Sequence, residues 1–203
     1  MYTWWKNIFD RFVALLLLII LSPLQAIIAI VISINSPGSP IFRQERVGKD
    51  RRRFQIYKFR TMYQNNDDSK YKALVRQYVL EGITSNLDEN YNQVNNPRVT
   101  KVGAVLRKTN LDELPQLFNI IKGDMVFVGP RPDIPFAVEM YQERHMKRFV
   151  VKPGLTGLWQ VSGRRNFSFE DMVRLDINYI EKQSLLLDAK IVLLTLRTVL
   201  GKK

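Results

Sequence analysis

The chain has no cysteine and a single histidine among its 203 residues. The first absence excludes disulfides, thiolate metal sites and covalent thiol catalysis, and the second leaves no imidazole cluster for zinc. A Ser-His-Asp arrangement would have to use His145, which lies in a basic, helical-looking segment where a lone histidine reads as a surface residue. Acids are in deficit too: 19 Asp and Glu face 31 Lys and Arg, a net charge of +12. That excess fits a polyanionic partner, whether nucleic acid, an anionic membrane face or a phosphorylated substrate. The length suits one domain of ordinary size plus a short extra element, and no internal repeat is visible.

Charge is missing altogether from Phe12 to Ile34, FVALLLLIILSPLQAIIAIVISI. At about 1.5 Å per residue this run reaches roughly 35 Å, enough to cross a hydrocarbon core about 30 Å thick. A plain transmembrane helix is the simplest expectation. Two features favour a re-entrant hairpin instead. Ser22-Pro23 sits at the midpoint, where proline deletes a backbone hydrogen bond and bends a helix. Both flanks are basic, with Lys6 and Arg11 before the run and Arg43, Arg46, Lys49 and Arg51 to Arg53 after it, and a hairpin keeps both on the cytoplasmic side. Trp4 and Trp5 then lie at headgroup level. The run is too long for a signal-peptide core, and no small-residue cleavage site follows it. Asn35 to Pro40, NSPGSP, is turn-rich and marks the expected boundary between residues 1–40, the membrane element, and residues 41–203, the catalytic domain.

The chemistry is expected between Arg107 and Asp133, RKTNLDELPQLFNIIKGDMVFVGPRPD. Asn110 reads as an N-cap, placing Asp112 and Glu113 in the first turn of a helix whose apolar side is Leu111, Leu114, Phe118 and Ile121. Such a turn favours ionised carboxylates and attracts phosphate. Asn110-x-x-Glu113 and Thr109-x-x-Asp112 also match capping-box spacing, so a purely structural role fits the same residues. Their company points further. Arg107 and Lys108 precede the pair, and a short strand, Met125 to Val128, runs into Gly129-Pro130-Arg131-Pro132, where two prolines fix the backbone that presents a guanidinium. Paired acids beside preset cations suggest phosphoryl transfer.

LDELPQLFNIIKGDM followed by VGPRP, with KFRTM upstream and KPGLTGLWQVSGR downstream, closely resembles the bacterial sugar transferases, the monotopic phosphoglycosyl transferases that begin glycoconjugate assembly. The resemblance runs from about Phe9 to the C-terminus. It implies transfer of a sugar-1-phosphate from a UDP-sugar to polyprenyl (undecaprenyl) phosphate, with UMP released, at the cytoplasmic face of the bacterial inner membrane. It implies that Asp112 is the nucleophile, forming an aspartyl sugar-phosphate, and that Glu113 binds Mg²⁺, with Asp112 beside it. From the residues alone, which carboxylate attacks and which binds metal stays open. The resemblance also makes Arg107 a phosphate ligand, has Arg131 between Pro130 and Pro132 hold the diphosphate, points Lys58 or Arg60 at a phosphate, and makes Ser22-Pro23 the break of a membrane hairpin. UDP-glucose or UDP-galactose is the leading donor; N-acetylated and dideoxy sugars are the alternative. Oligomeric state, a homodimer included, is left open.

The remaining segments are read from pattern. The expected fold is α/β, mostly helical with a few short strands, joined to the membrane hairpin and carrying interfacial helices. Ile41 to Val47 and Phe54 to Phe59 read as strands joined by a basic turn whose charges suit anionic membrane lipid. Asp67 to Glu81 reads as helix, Gly82 to Asn96 as a polar loop, and Pro97 to Thr100 as the start of a helix carrying Arg107. Ile134 to Phe149 reads as one amphipathic helix. Trp159 suits either base stacking or core packing, and Arg164 either nucleotide or headgroups. Ser168-x-x-Asp171 opens a surface helix, and Leu185 to Leu200 forms a helix in or against the interface. Rival classes are a membrane-anchored basic domain binding nucleic acid or anionic lipid, and a transmembrane phosphohydrolase. The first accounts for the charge but not for an acidic pair among prolines and arginines, so nucleic acid is not an expected partner.

Overall fold

Proline at position 23 removes the amide that would bond the Ile19 carbonyl four residues back. In the computed structural model, which describes residues 2–64, 69–82, 96–162 and 167–201, the Ser22 hydroxyl donates to that same carbonyl at 2.7 Å. The hydroxyl replaces the lost donor, and the first helix, α1 (Tyr2–Asn35), runs through Pro23 without interruption, so the helical break expected at Ser22-Pro23 is not seen.

One stripe of α1 packs on the rest of the chain along its whole length. Ala14, with Leu17, Leu18 and Leu21, meets Ile56, Leu117, Ile120 and Met125, and Ile28 and Ile32 meet Phe59 and Leu106. Polar contacts fix both ends. Tyr2 donates to Asp188 at 2.6 Å, Lys6 pairs with the same carboxylate, and Asp10 accepts from the Phe127 amide at 3.0 Å. At the far end the Arg60 guanidinium holds the carbonyls of Ser36 and Pro37, both at 2.7 Å. The opposite stripe, including Trp4, Trp5, Phe9, Phe12, Ile19, Ile20, Ile27 and Ile30, is exposed. This helix is long and apolar enough to cross a membrane.

Two small sheets and a set of helices complete the fold, which is mostly helical with short strands as expected. β1 (Ile41–Val47) and β2 (Arg53–Phe59) pair antiparallel from Ile41 opposite Phe59 to Val47 opposite Arg53. A helix, α2 (Ser69–Glu81), follows; residues 67 and 68, expected to begin it, and residues 83–95, the core of the expected loop, lie outside the described residues. Then come α3 (Lys101–Thr109), a 3-10 turn (Leu111–Glu113), α4 (Gln116–Lys122) and β3 (Val126–Val128). β3 pairs in parallel with β4 (Gly154–Thr156).

Between β3 and β4 the chain departs from the single amphipathic helix expected over Ile134 to Phe149. It forms α5 (Pro135–Val138), breaks, and resumes as a 3-10 segment (Glu143–Val150) in which Gln142 and His145 make a reciprocal cap. The break turns Arg148 inward, where it is 2% exposed. After β4 come α6 (Leu158–Val161), α7 (Phe169–Lys182), opened by the Ser168–Asp171 capping box, and α8 (Leu185–Leu200), whose Leu185, Leu186, Leu193 and Leu196 are exposed.

Gly103 lets α3 lie directly on the strand exit after β2, since a Cβ there would come 2.1 Å from the Thr61 carbonyl oxygen. That carbonyl already accepts from the Thr100 amide at 3.0 Å and has no room to retreat. Gly103→Ala is therefore expected to overpack at a cost of about 1–3 kcal/mol. At roughly 2–4 °C per kcal/mol for a chain of this size, thermal unfolding should register a clear drop in midpoint.

Candidate active site

The acid turn is a corner between two helices. Asn110 is left-handed (φ 55°, ψ 17°) and closes α3 as its C-cap, its amide bonding the Arg107 and Leu106 carbonyls. Asn110 also precedes the acid turn at the expected N-cap position, but its side chain makes no cap there and neither capping box at this turn forms; asparagine tolerates the left-handed region that most residues avoid. Asp112 and Glu113 consequently occupy a three-residue 3-10 turn, and α4 begins only after Pro115. The buried side of α4 also differs from expectation. It comprises Gln116, Leu117, Asn119 and Ile120, whereas Phe118 is exposed and meets the Tyr57 ring edge-on at 5.6 Å.

Asn119 connects this corner to β2. Fully buried, its amide donates to the Gln55 carbonyl at 2.6 Å and its oxygen accepts from the Tyr57 amide at 3.1 Å. The neighbouring Lys58 is thereby set beside Glu113, Nζ to Oε1 2.7 Å. Arg131 reaches the same oxygen at 3.3 Å. Among the described residues no ion pair forms on Asp112, so the two acids are in different states: one is held and the other is not. Burial works against charge on Glu113, but Lys58 and Arg131 outweigh it and hold the carboxyl at about 2. Burial raises the Asp112 carboxyl above its ordinary value and Glu113 adds to this, while Lys58, Arg107 and Arg131 oppose it. This inverts the expectation that a helix N-terminus lowers Asp112. Burial in turn lowers the Lys58 ammonium, with Glu113 acting against it.

The Pro-Arg-Pro turn is held from behind. The buried Arg148 donates to Asp176 at 2.9 Å, to the Tyr141 hydroxyl at 3.2 Å and to the Arg131 carbonyl at 3.3 Å, and it pairs with Asp133. Arg46 donates to the Pro132 carbonyl at 3.2 Å, and the Pro130 carbonyl accepts from Gly154 at 2.8 Å. Burial pushes the Asp176 carboxyl up to about 6 even with Arg148 alongside.

Other expected site residues fall elsewhere. Arg107 hydrogen-bonds Thr61 at 2.8 Å and bears electrostatically on Asp112. Arg60 turns away to the exit of α1, which leaves Lys58 as the member of that pair facing the acids. Trp159 packs among Phe169, Met172 and Val173, with an enclosed ring N–H that has no acceptor among the described residues. Arg164 lies outside the described residues. His145 is 2% exposed, not at the surface, because it accepts from the Gln142 amide at 3.1 Å and meets Glu170 at 2.9 Å. Sequence reasoning missed Asn119, Arg148 and Asp176. Only Asn119 left a signal, as a polar residue inside the apolar run LFNII.

Among the described residues no cluster of three or more His, Cys, Asp or Glu suits a metal ion. The Asp112–Glu113 pair nevertheless fits Mg²⁺, which commonly takes one or two carboxylates and completes its shell with substrate phosphate and water.

An ionised acid held by two cations beside an unheld acid, behind a turn that aims a guanidinium, is a site shaped for phosphate. The chain belongs to the bacterial sugar transferase family, whose model matches residues 1–202. It is 40% identical over 197 residues to the UDP-galactose-lipid carrier transferase of Erwinia amylovora, covering 97% of this chain and 40% of that protein. It is 40% identical over 197 residues to the exopolysaccharide production protein ExoY of Sinorhizobium fredii, covering 96% and 84%. With the undecaprenyl-phosphate galactose phosphotransferase of Salmonella typhimurium it shares 38% identity over 198 residues, covering 97% and 40%. The chain thus spans about two fifths of the length of the Erwinia and Salmonella proteins.

Removing Arg148 would leave Asp133 and Asp176 without their shared cation. Breaking a buried ion pair from one side costs about 3–5 kcal/mol, so Arg148→Met should lower the denaturation midpoint far more than Arg144→Met at the exposed neighbouring pair.

Proposed function

We propose that this protein transfers a hexose-1-phosphate, galactose or glucose, from a UDP-sugar to undecaprenyl phosphate at the cytoplasmic face of the bacterial inner membrane, starting polysaccharide assembly. The observation that carries the reading is the asymmetry of the acid pair: Glu113 is fixed by Lys58 and Arg131, and Asp112 sits beside it with no ion pair among the described residues. Relatives named for UDP-galactose, a lipid carrier and undecaprenyl phosphate support the donor and acceptor. N-acetylated or dideoxy donors remain the alternative.

In the first half, an Asp112 carboxylate oxygen attacks the β-phosphorus. The bond from that phosphorus to the bridging oxygen breaks, and UMP leaves with the electron pair. In the second half, an oxygen of the lipid phosphate attacks the same phosphorus, the acyl-phosphate P–O bond breaks, and Asp112 is restored as carboxylate. No proton must be removed from a nucleophile in either half. Burial makes Asp112 more basic than an ordinary aspartate, which strengthens it as nucleophile, while Lys58 and Arg107 counter its tendency to protonate. Arg131, set by its two prolines and by Arg148, holds the diphosphate, and Lys58 and Arg107 meet the charge that builds on the transferring group. Glu113, with Asp112, would hold Mg²⁺, which when bound offsets phosphate charge as a hard Lewis acid.

Residues 1–40 act as a re-entrant element and residues 41–203 as the catalytic domain. Both halves of α1 pack on one polar body, and a helix crossing the bilayer would drag that body into hydrocarbon, where its loops would lose their hydrogen-bonding partners. A monotopic arrangement avoids this, with the exposed stripe of α1 and the leucines of α8 in lipid.

Asp112→Asn should abolish UMP release while the protein stays folded and membrane-bound. Incubating the native chain with labelled UDP-sugar and no lipid acceptor should leave label on the peptide containing Asp112; label on Glu113 instead would reverse the roles of the two acids. Because the chain lacks cysteine, Thr3→Cys and Ser39→Cys give single thiols on either side of the apolar run. Both should react with an impermeant maleimide only from the cytoplasmic side, and labelling from opposite sides would end the hairpin reading.

A further inference from the structure

Two amides at the boundary between α1 and the acid turn have no acceptor among the described residues. Gln116 is 2% exposed, and its Nε2 is enclosed and unpartnered; the Nε2 of Gln25, on α1, is in the same state. The two come from facing elements. Gln116 follows Glu113 and Asp112 by three and four residues, the spacing of neighbours on one side of a helical turn. It shares its face with Ile120, which packs with Ala14 of α1. Gln25 lies between Leu21, which packs in the cluster holding Leu117 and Ile120, and Ile28, which packs in the cluster holding Leu111 and Leu114. That stripe sets Gln25 over the segment containing the acids.

Enclosed N–H donors in folded proteins are almost always paired, so these amides call for an oxygen acceptor from outside the chain. The cations around the acids, Lys58, Arg107 and Arg131, come from β2, α3 and the Pro-Arg-Pro turn, and none comes from α1. The α1 side is apolar instead: Leu24 and Ile27, flanking Gln25, are 39% and 58% exposed, and Ile20 is 68% exposed. A ligand that enters there presents oxygens at the tip of a hydrocarbon chain.

We propose that Gln116, with Gln25, forms the subsite for the acceptor phosphate. Its ligand is the phosphate monoester of a polyisoprenoid, whose chain lies along the stripe of Ile20, Leu24 and Ile27. The proposal rests on the phosphotransferase reading above. Neutral amides bring an anion beside Asp112 without drawing Lys58 and Arg131 off Glu113, and so separate the two phosphate substrates in space.

The test is steady-state UMP release by the full chain in lipid nanodiscs, varying undecaprenyl phosphate and UDP-sugar separately. A hydrogen bond to a charged group is worth enough that Gln116→Leu should raise the KM for undecaprenyl phosphate at least about tenfold, with the KM for UDP-sugar unchanged. Gln25→Leu, a partly buried position on another element, carries the same expectation and keeps the test alive should Gln116→Leu fold poorly. A water-soluble short-chain prenyl phosphate used as acceptor should lose affinity by the same factor, since the subsite reads the phosphate. An unchanged lipid KM in both variants, as when water satisfies the amides, overturns the proposal. So does a parallel rise in both KM values, the mark of a merely structural role. No UMP release by the unaltered chain with any UDP-sugar would instead remove the phosphotransferase reading itself.

Discussion

Glu113 is the joint on which the site depends. Its Oε1 accepts from Lys58, 55 residues upstream, and from Arg131, 18 residues downstream, so a single oxygen ties the hairpin, the acid turn and the Pro-Arg-Pro turn together. Three cations, Lys58, Arg107 and Arg131, stand around the two acids, and the one charge left over favours an anion there. A phosphate supplies the missing charge. The same pairing separates two adjacent carboxylates into different states: Glu113 is held and strongly acidic, while Asp112, one residue earlier, is half-buried, more basic and, among the described residues, without an ion pair.

The joint works only because backbone is held where side chains must meet. Asn119 bonds both the Gln55 carbonyl and the Tyr57 amide and so fixes the stretch of β2 that ends in Lys58. Gly103 admits the Thr61 carbonyl against α3, and the same threonine's hydroxyl accepts from Arg107. Arg148 grips the Arg131 carbonyl from a buried position anchored by Asp176. None of the three buried anchors, Asn119, Arg148 and Asp176, needs to touch substrate. Asn119 and Arg148 each orient a residue that faces the acids and Asp176 anchors Arg148, which keeps those charges in place before ligand binds.

What could be read from the sequence follows from which physics was local. The two strands of the hairpin, the Ser168 cap, α8 and the approach of Arg107 were legible, because alternation, capping chemistry and apolar periodicity each act within a few residues. Asp112, Glu113 and Arg131 are legible from the residues as paired acids beside a preset cation, whereas Lys58 is legible only through motif resemblance, since its approach to Glu113 is long-range. Asn110 was misread because asparagine serves both as N-cap and as left-handed C-cap, and the choice is made by where α3 ends. His145 and Arg148 were misread or missed for a related reason: a charged residue in a basic stretch reads as solvated until the partners that bury it, Glu170 and Asp176, are brought in from a distant helix. The direction of the Asp112 shift was reversed because burial, a property of the fold, outweighs the local dipole.

Ser22 bears on how chemistry and membrane meet. With its hydroxyl on the Ile19 carbonyl, the proline position keeps its hydrogen bonding satisfied in a setting where water is scarce, and α1 can bend there without leaving an orphan carbonyl in hydrocarbon. The helix thus stays seated on both clusters at once, Ala14 against Ile120 and Ile28 against Leu106. Because Ile120 and Leu106 flank the acid turn in the chain, α1 and the two carboxylates share one packing surface. Under the proposed function, lipid depth and active-site depth would be set by the same contacts, and an acceptor confined to the bilayer would meet Asp112 without leaving its own solvent.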